Sequence, residues 1–368
     1  SSHFKRSRIA RPLPFHIRQD TMRSMHVVHV SLVRTMDAKR AYVRLLRAYG
    51  ATAMQEAILY KENESSWATP WLAVTEHHVD ADVIIAPQPF RSPQEGLGDA
   101  AVKLRDIAVE YGKPVVAFAG TDLSHRIHVK GVWLFMASMY KRLKKDNEIA
   151  LVPYIADMGE GKEVLIRKKS AKPVVGFCGY AGFPNTKTKV RYWVKNFLLD
   201  ALAFITRDAH HLVYKRGIYF RRWAMEVLGR DARVQTNFIV RDSFGGNVAT
   251  TKVDPARARE EYIQNMLDSD FVLAPKGDGN YSARFYEALS LGRIPILIDT
   301  DMVLPLEDTL NYSKFILRVP HTEVHRLGEI VHDYYATLTD ESFAEMQRAA
   351  RKAFAEHLRY DRFFAEVL

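Results

Sequence analysis

The stretch from Asp270 to Asp301, DFVLAPKGDGNYSARFYEALSLGRIPILIDTD, decides the fold. Its compact apolar run, Phe271-Val272-Leu273-Ala274 closed by Pro275, suits a parallel strand buried on both faces. A loop with Gly277 and Gly279 follows, where a backbone without Cβ atoms can turn tightly and come close to a ligand. Ser282 to Leu291 has helical spacing, with Phe285, Ala288 and Leu289 on one face, and Gly292 stops it. Ile294 to Ile298 is the next apolar strand. Strand, glycine loop, helix and strand make a βαβ unit, and the start of its helix is a natural anion site.

Arg284 and Glu287 lie three apart on that helix, away from its apolar stripe. A guanidinium there can neutralise a diphosphate through paired donors. A carboxylate one turn on can accept hydrogen bonds from both hydroxyls of a ribose. The same spacing also suits an ordinary surface ion pair, so these two residues alone leave both readings open.

The longer string says more. Leu273-Ala274-Pro275-Lys276-Gly277-Asp278-Gly279-Asn280-Tyr281-Ser282 runs into Arg284-Phe285-Tyr286-Glu287-Ala288-Leu289, then Gly292-Arg293-Ile294-Pro295 and Asp299-Thr300-Asp301. With Leu304-Pro305 and Glu307-Asp308 after it, this string resembles the signature of the exostosin family of glycosyltransferases. The resemblance implies an α/β protein of the GT-B class, two Rossmann-like domains facing a central cleft, with a nucleotide sugar in the second. The donor-binding residues it implies are Lys276, Gly277, Asp278, Gly279, Asn280, Ser282, Arg284 and Glu287. Asp299-Thr300-Asp301 has the spacing of a metal clamp, but it follows a strand as in the family pattern and is expected to be structural or donor-side. No metal and no cofactor beyond the nucleoside diphosphate sugar is expected.

At 368 residues the chain is long enough for two domains, and 47% apolar content is ordinary for a globular protein. We expect an acceptor domain over residues 1–160 and a donor domain over 173–335. The helices of 336–368 are expected to cross back to the first domain. No window of 18 apolar residues marks a membrane span. Cys178 is the one cysteine, which excludes an intrachain disulfide and a cysteine-rich zinc site and points to a reducing, cytoplasmic compartment. The net charge of +10 concentrates early, at Lys5, Arg6, Arg8, Arg11, Arg18 and Arg23, and again at Lys39, Arg40, Arg44 and Arg47. An acidic glycan or peripheral contact with an anionic membrane would suit it, as would a merely solvated basic surface. Aromatic residues do not interleave the basic runs, so nucleic acid is not an expected partner.

The first half alternates strand and helix patterns: Met25 to Leu32, Asp37 to Tyr49, Ala57 to Lys61, Val83 to Pro87, Asp99 to Tyr111 and Val115 to Ala119. Gly120 to His128 leaves that last strand at its carboxyl end, where open α/β sheets place ligands. Asp122 and His125, with His128 nearby, are the leading candidates for a base that takes the proton of an attacking hydroxyl; Glu76, His77 and Asp82 are secondary. The Gly-Arg-Asp-His stretch of animal exostosins has no counterpart in this half, which points to a distant branch of the family. A basic run from Lys162 to Lys172 precedes the strand Val174 to Gly179. Val190 to Ala203 reads as a helix, His211 to Tyr214 as a short strand, and Phe220 to Leu228 as a helix. Lys187, Lys189 and Arg191 suit either a phosphate or solvent. Asp254-Pro255 opens a helix, with Asp as its cap and Pro in its first turn.

The expected function is transfer of a sugar from a nucleoside diphosphate sugar, UDP favoured, to a glycan hydroxyl with inversion. A different class of answer is a non-catalytic module that binds a nucleotide or an acidic glycan on the same fold.

Overall fold

The computed structural model describes residues 27–33, 71–90, 98–120, 129–183, 185–241 and 254–368. A first sheet holds β1 (Val28–Leu32), β2 (Leu72–Val74), β3 (Val83–Phe90), β4 (Val115–Ala119), β5 (Trp133–Met136) and β6 (Glu148–Ala150). Its strands are parallel and ordered β2-β1-β3-β4-β5-β6. Helix α1 (Asp99–Tyr111) buries Ala101, Leu104 and Ala108 on this sheet and stops at Gly112 in the left-handed region, φ 61°.

The second sheet holds β7 (Val174–Tyr180), β8 (Gln235–Arg241), β9 (Phe271–Leu273), β10 (Ile294–Asp299) and β11 (Leu317–Pro320). It too is parallel, in the order β11-β10-β9-β7-β8. The second half also carries the helices α2 (Thr186–Thr206), α3 (Gly217–Arg230), α4 (Pro255–Leu267), α5 (Ala283–Ser290), α6 (Leu327–Thr337), α7 (Asp340–Ala353) and α8 (Tyr360–Val367). Two parallel sheets with their own helices make this a GT-B fold.

The carboxyl ends of the two sheets face each other. Tyr140, just past β5, bridges to Met302, just past β10, and Lys141 pairs with Glu307 at 2.9 Å. At the back, α8 packs on the first sheet: the Phe364 ring lies 5.5 Å from that of Phe135 and 6.2 Å from that of Phe118. The connecting segment is pinned by buried carboxylates. Asp157 takes both guanidinium arms of Arg351 at 2.5 and 3.0 Å, and Asp270 takes Arg167 at 2.8 Å and the amide of Val174.

The structure departs from the sequence reading in three places. His211 to Tyr214 is not a strand but part of a 3-10 turn, Ala209–Tyr214, which Asp208 caps through the amide of His210. β3 runs past Pro87 to Phe90, because the register shift between Ile85 and Pro89 absorbs prolines that cannot donate to the ladder. β2, β5, β6 and β11 span only three or four residues each, too short to show a period, and β8 is an edge strand with little burial. The expected helix Asp37 to Tyr49 and strand Ala57 to Lys61 lie outside the described residues.

Candidate functional site

In the second sheet β7 lies between β8 and β9, so successive connections leave it in opposite directions. That reversal opens a crevice past the carboxyl ends of β7 and β9. Arg284, in the first turn of α5, reaches into it. Its guanidinium lies 4.2 Å from the centre of the Phe177 ring and donates to the Cys178 carbonyl at 2.8 Å. Gly179 makes the approach feasible: its φ is 151°, and a Cβ there would stand 2.7 Å from the Arg284 Nη2.

A second guanidinium converges on the same ring. Arg221, from α3, lies 5.6 Å from the Phe177 centroid and donates to the Tyr180 carbonyl. Burial and then the charge of Arg284 push its pKa down to about 10. The Nε atoms of both arginines are buried without a hydrogen-bond partner, and among the described residues no carboxylate holds either group in an ion pair. Two half-buried like charges with unfilled buried donors cost stability unless an anion completes them. Arg221 was missed in the sequence because α3 carries no motif; only the tertiary fold brings it beside Arg284.

Glu287 does not pair with Arg284, so the surface ion pair left open by their spacing does not form. Glu287 instead accepts from the Tyr262 hydroxyl of α4 at 2.5 Å, and the Tyr262 ring lies 5.7 Å from the Arg284 guanidinium. Carboxylate and guanidinium are therefore held apart at the same mouth.

The glycine loop before α5 has a different character. Asn280 is fully buried, and its amide donates to the Ser138 hydroxyl at 2.7 Å. Its side chain donates to the carbonyls of Met139 and Thr300 and accepts from the Thr300 hydroxyl. A Cβ on Gly279 would meet Ser138 at 3.1 Å, so the first domain sits directly on this loop. Gly277 closes the loop by donating to the Tyr281 carbonyl at 2.8 Å. Lys276 is buried, donates to the carbonyl of Val213 at 2.5 Å and the hydroxyl of Tyr140 at 3.2 Å, and burial lowers its pKa to about 7. These polar atoms are already engaged in joining the halves. Asp278 is exposed, 3.6 Å from Arg216, and Ser282 is the buried cap residue of α5 with no side-chain cap bond.

In Asp299-Thr300-Asp301 the carboxylates are likewise engaged. Asp299 pairs with Arg318 at 2.8 Å. Asp301, at φ 64°, accepts from the Arg142 amide at 3.0 Å and faces His210 at 2.8 Å. No three His, Cys, Asp or Glu side chains among the described residues converge to hold a metal. Asp122, His125 and His128 lie outside the described residues. Asp82 stands at the amino end of β3, where it accepts from the His29 amide at 2.8 Å; Glu76 and His77 are exposed.

Residues 235–334, which carry Arg284 and Glu287 but neither β7 nor Arg221, match the family model of the Exostosin GT47 domain. This stretch resembles an exostosin GT47 domain. A probable glycosyltransferase of Arabidopsis thaliana is 32% identical over 92 residues, 25% of this chain and 19% of its own. A probable glucuronosyltransferase of Oryza sativa subsp. japonica is 36% identical over 70 residues, 19% of this chain and 16% of its own. An Exostosin-1 homolog of Caenorhabditis elegans is 26% identical over 101 residues, 27% of this chain and 25% of its own. The matched stretches thus span a quarter or less of these relatives. Among solved structures, the galactosyltransferase WaaB of the lipopolysaccharide outer core aligns with a TM-score of 0.39 at 13% identity, covering 93% of this chain and 99% of its own. Anabaena HepE in complex with UDP-glucose aligns with a TM-score of 0.34 at 11% identity, covering 93% and 98%.

Proposed function

We propose that the protein is an inverting glycosyltransferase that moves a sugar from a nucleoside diphosphate sugar to a hydroxyl of a glycan, in polysaccharide synthesis. One observation supports this most. Arg284 from the matched stretch and Arg221 from α3, two guanidiniums without carboxylate partners among the described residues, converge at the switch point, with Glu287 held beside Arg284. Arg284 and Arg221 take the diphosphate, with the α5 amino end at Ser282 adding its dipole. Glu287, oriented by Tyr262, accepts from the ribose hydroxyls. Lys276, Gly277, Gly279 and Asn280 act one step back, shaping the loop on which α5 begins.

In the reaction, the acceptor oxygen attacks the anomeric carbon from the face opposite the diphosphate. Its proton passes to a base of the first domain, with Asp122 and His125 the residues to test. The bond from carbon to diphosphate oxygen breaks, and the departing charge falls to the arginines. That cationic stabilisation is what lets the step proceed without a metal. UDP is the favoured carrier, because relatives of the matched stretch are named as glucuronosyltransferases.

A panel of nucleoside diphosphates and their sugars, read by thermal shift and then by release of the nucleoside diphosphate, tests the reading. A UDP-sugar should raise the unfolding midpoint, and Arg284→Ala should remove the rise. If no nucleotide raises the midpoint, the donor site is misassigned. If nucleotides bind and no acceptor supports turnover, the protein is a binding module on this fold.

A further inference from the structure

Helix α2 presents its apolar face to solvent. It has 21 residues, yet only Tyr192 and Asn196 are buried. At about 100° per residue, Val190, Trp193, Phe197, Leu198, Phe204 and Ile205 fall within an arc of about 140°, opposite those two. Phe204 is 85% exposed, Ile205 76%, Phe197 71% and Trp193 59%. Apolar side chains scattered singly need no explanation, but a continuous stripe along one helix does.

The charges on this helix indicate its occupant. Lys189 lies along one edge of the stripe and Arg191 and Lys195 along the other, with Lys187 in the first turn. Asp200 is the helix's one carboxylate, and Lys215 neutralises it at 2.6 Å. An apolar stripe rimmed by cations is the pattern of a helix lying in the plane of a bilayer interface, with ammonium and guanidinium groups at the headgroups. A second copy of the chain would bring cationic rim against cationic rim. Among the described residues no helix is long and apolar enough to cross a membrane, α2 included.

We propose that α2 docks the protein onto an anionic lipid surface, with Trp193, Phe197, Leu198, Phe204 and Ile205 entering the acyl boundary. This does not rest on the proposed chemistry, since none of these side chains belongs to the crevice.

The test is flotation of the full chain with vesicles of phosphatidylcholine, alone or mixed with phosphatidylglycerol, while tryptophan emission is followed. The chain should float with the mixed vesicles, less so as salt rises, and its emission should shift to shorter wavelength. Trp193→Phe should keep flotation and lose the shift. Phe197→Ser with Phe204→Ser should cut partitioning by about tenfold or more. The proposal is overturned if the chain ignores anionic vesicles, or if the double variant partitions as well as the parent. It is overturned equally if light scattering finds a dimer that the double variant splits. A lower unfolding temperature of the double variant free of lipid would mean the stripe is covered by its own chain, and would also overturn it.

Discussion

Lys276 and Arg284 stand eight positions apart in one signature, and their surroundings are opposite. The Lys276 ammonium is sealed in, with the Val213 carbonyl and the Tyr140 hydroxyl as its acceptors. The Arg284 guanidinium has one carbonyl and a buried Nε with no partner, and its charge adds to burial in lowering the pKa of Arg221 beside it. The first cation is part of the scaffold, because its donors are met from within. The second keeps a donor unmet, because among the described residues the fold brings it a second guanidinium and no carboxylate. The difference separates residues that build a site from residues that use it.

The scaffold side of this contrast should give the largest effect. Asn280→Ala removes the side-chain partner of the Thr300 carbonyl and hydroxyl in a buried joint and leaves the Met139 carbonyl only the long bond from the Val303 amide. It should lower stability by about 2–4 kcal/mol in chemical denaturation. A variant as stable as the parent would dissolve the distinction. Next come Arg284→Ala and Arg221→Ala. Each should weaken diphosphate binding by roughly 10–100-fold in calorimetry, with stability unchanged or raised as the mutual repulsion ends. A large loss of stability in either would move that arginine to the scaffold.

Glu287→Gln should reduce nucleotide affinity about tenfold and level the preference for ribo- over 2′-deoxynucleotides. A preference that persists would take Glu287 away from the ribose. Lys276 makes a claim about pH. Its folded pKa of about 7 lies below the ordinary lysine value, so between those two the unfolded chain holds a proton the folded chain has released. Stability from this group therefore rises with pH above 7, by about 1.4 kcal/mol per pH unit at most. Lys276→Met should flatten the rise in denaturation midpoints compared across that range. The smallest effect is for metal removal: chelation with EDTA should leave turnover unchanged, and a loss restored by a divalent cation would reject arginine-only stabilisation of the leaving group.

Much of this was legible in the chain itself. The run from Asp270 to Asp301 carries its strand, loop, helix and strand in local patterns: a four-residue apolar block, two glycines, a helical stripe and a glycine stop. Those patterns, with the exostosin signature, determined the GT-B class and drew attention to Arg284 and Glu287. Sequence spacing could not decide whether those two pair with each other, since spacing on a helix permits contact without requiring it. The tertiary structure decided it by turning Arg284 to β7 and Glu287 to Tyr262. It alone brought Arg221 from α3 to the same ring, 63 positions away from Arg284 in the numbering. It also alone showed that Lys276 and Asn280 face the first domain. Local order is written in residues three or four apart, whereas the partners that make a charge structural or functional come from strands and helices folded together from afar.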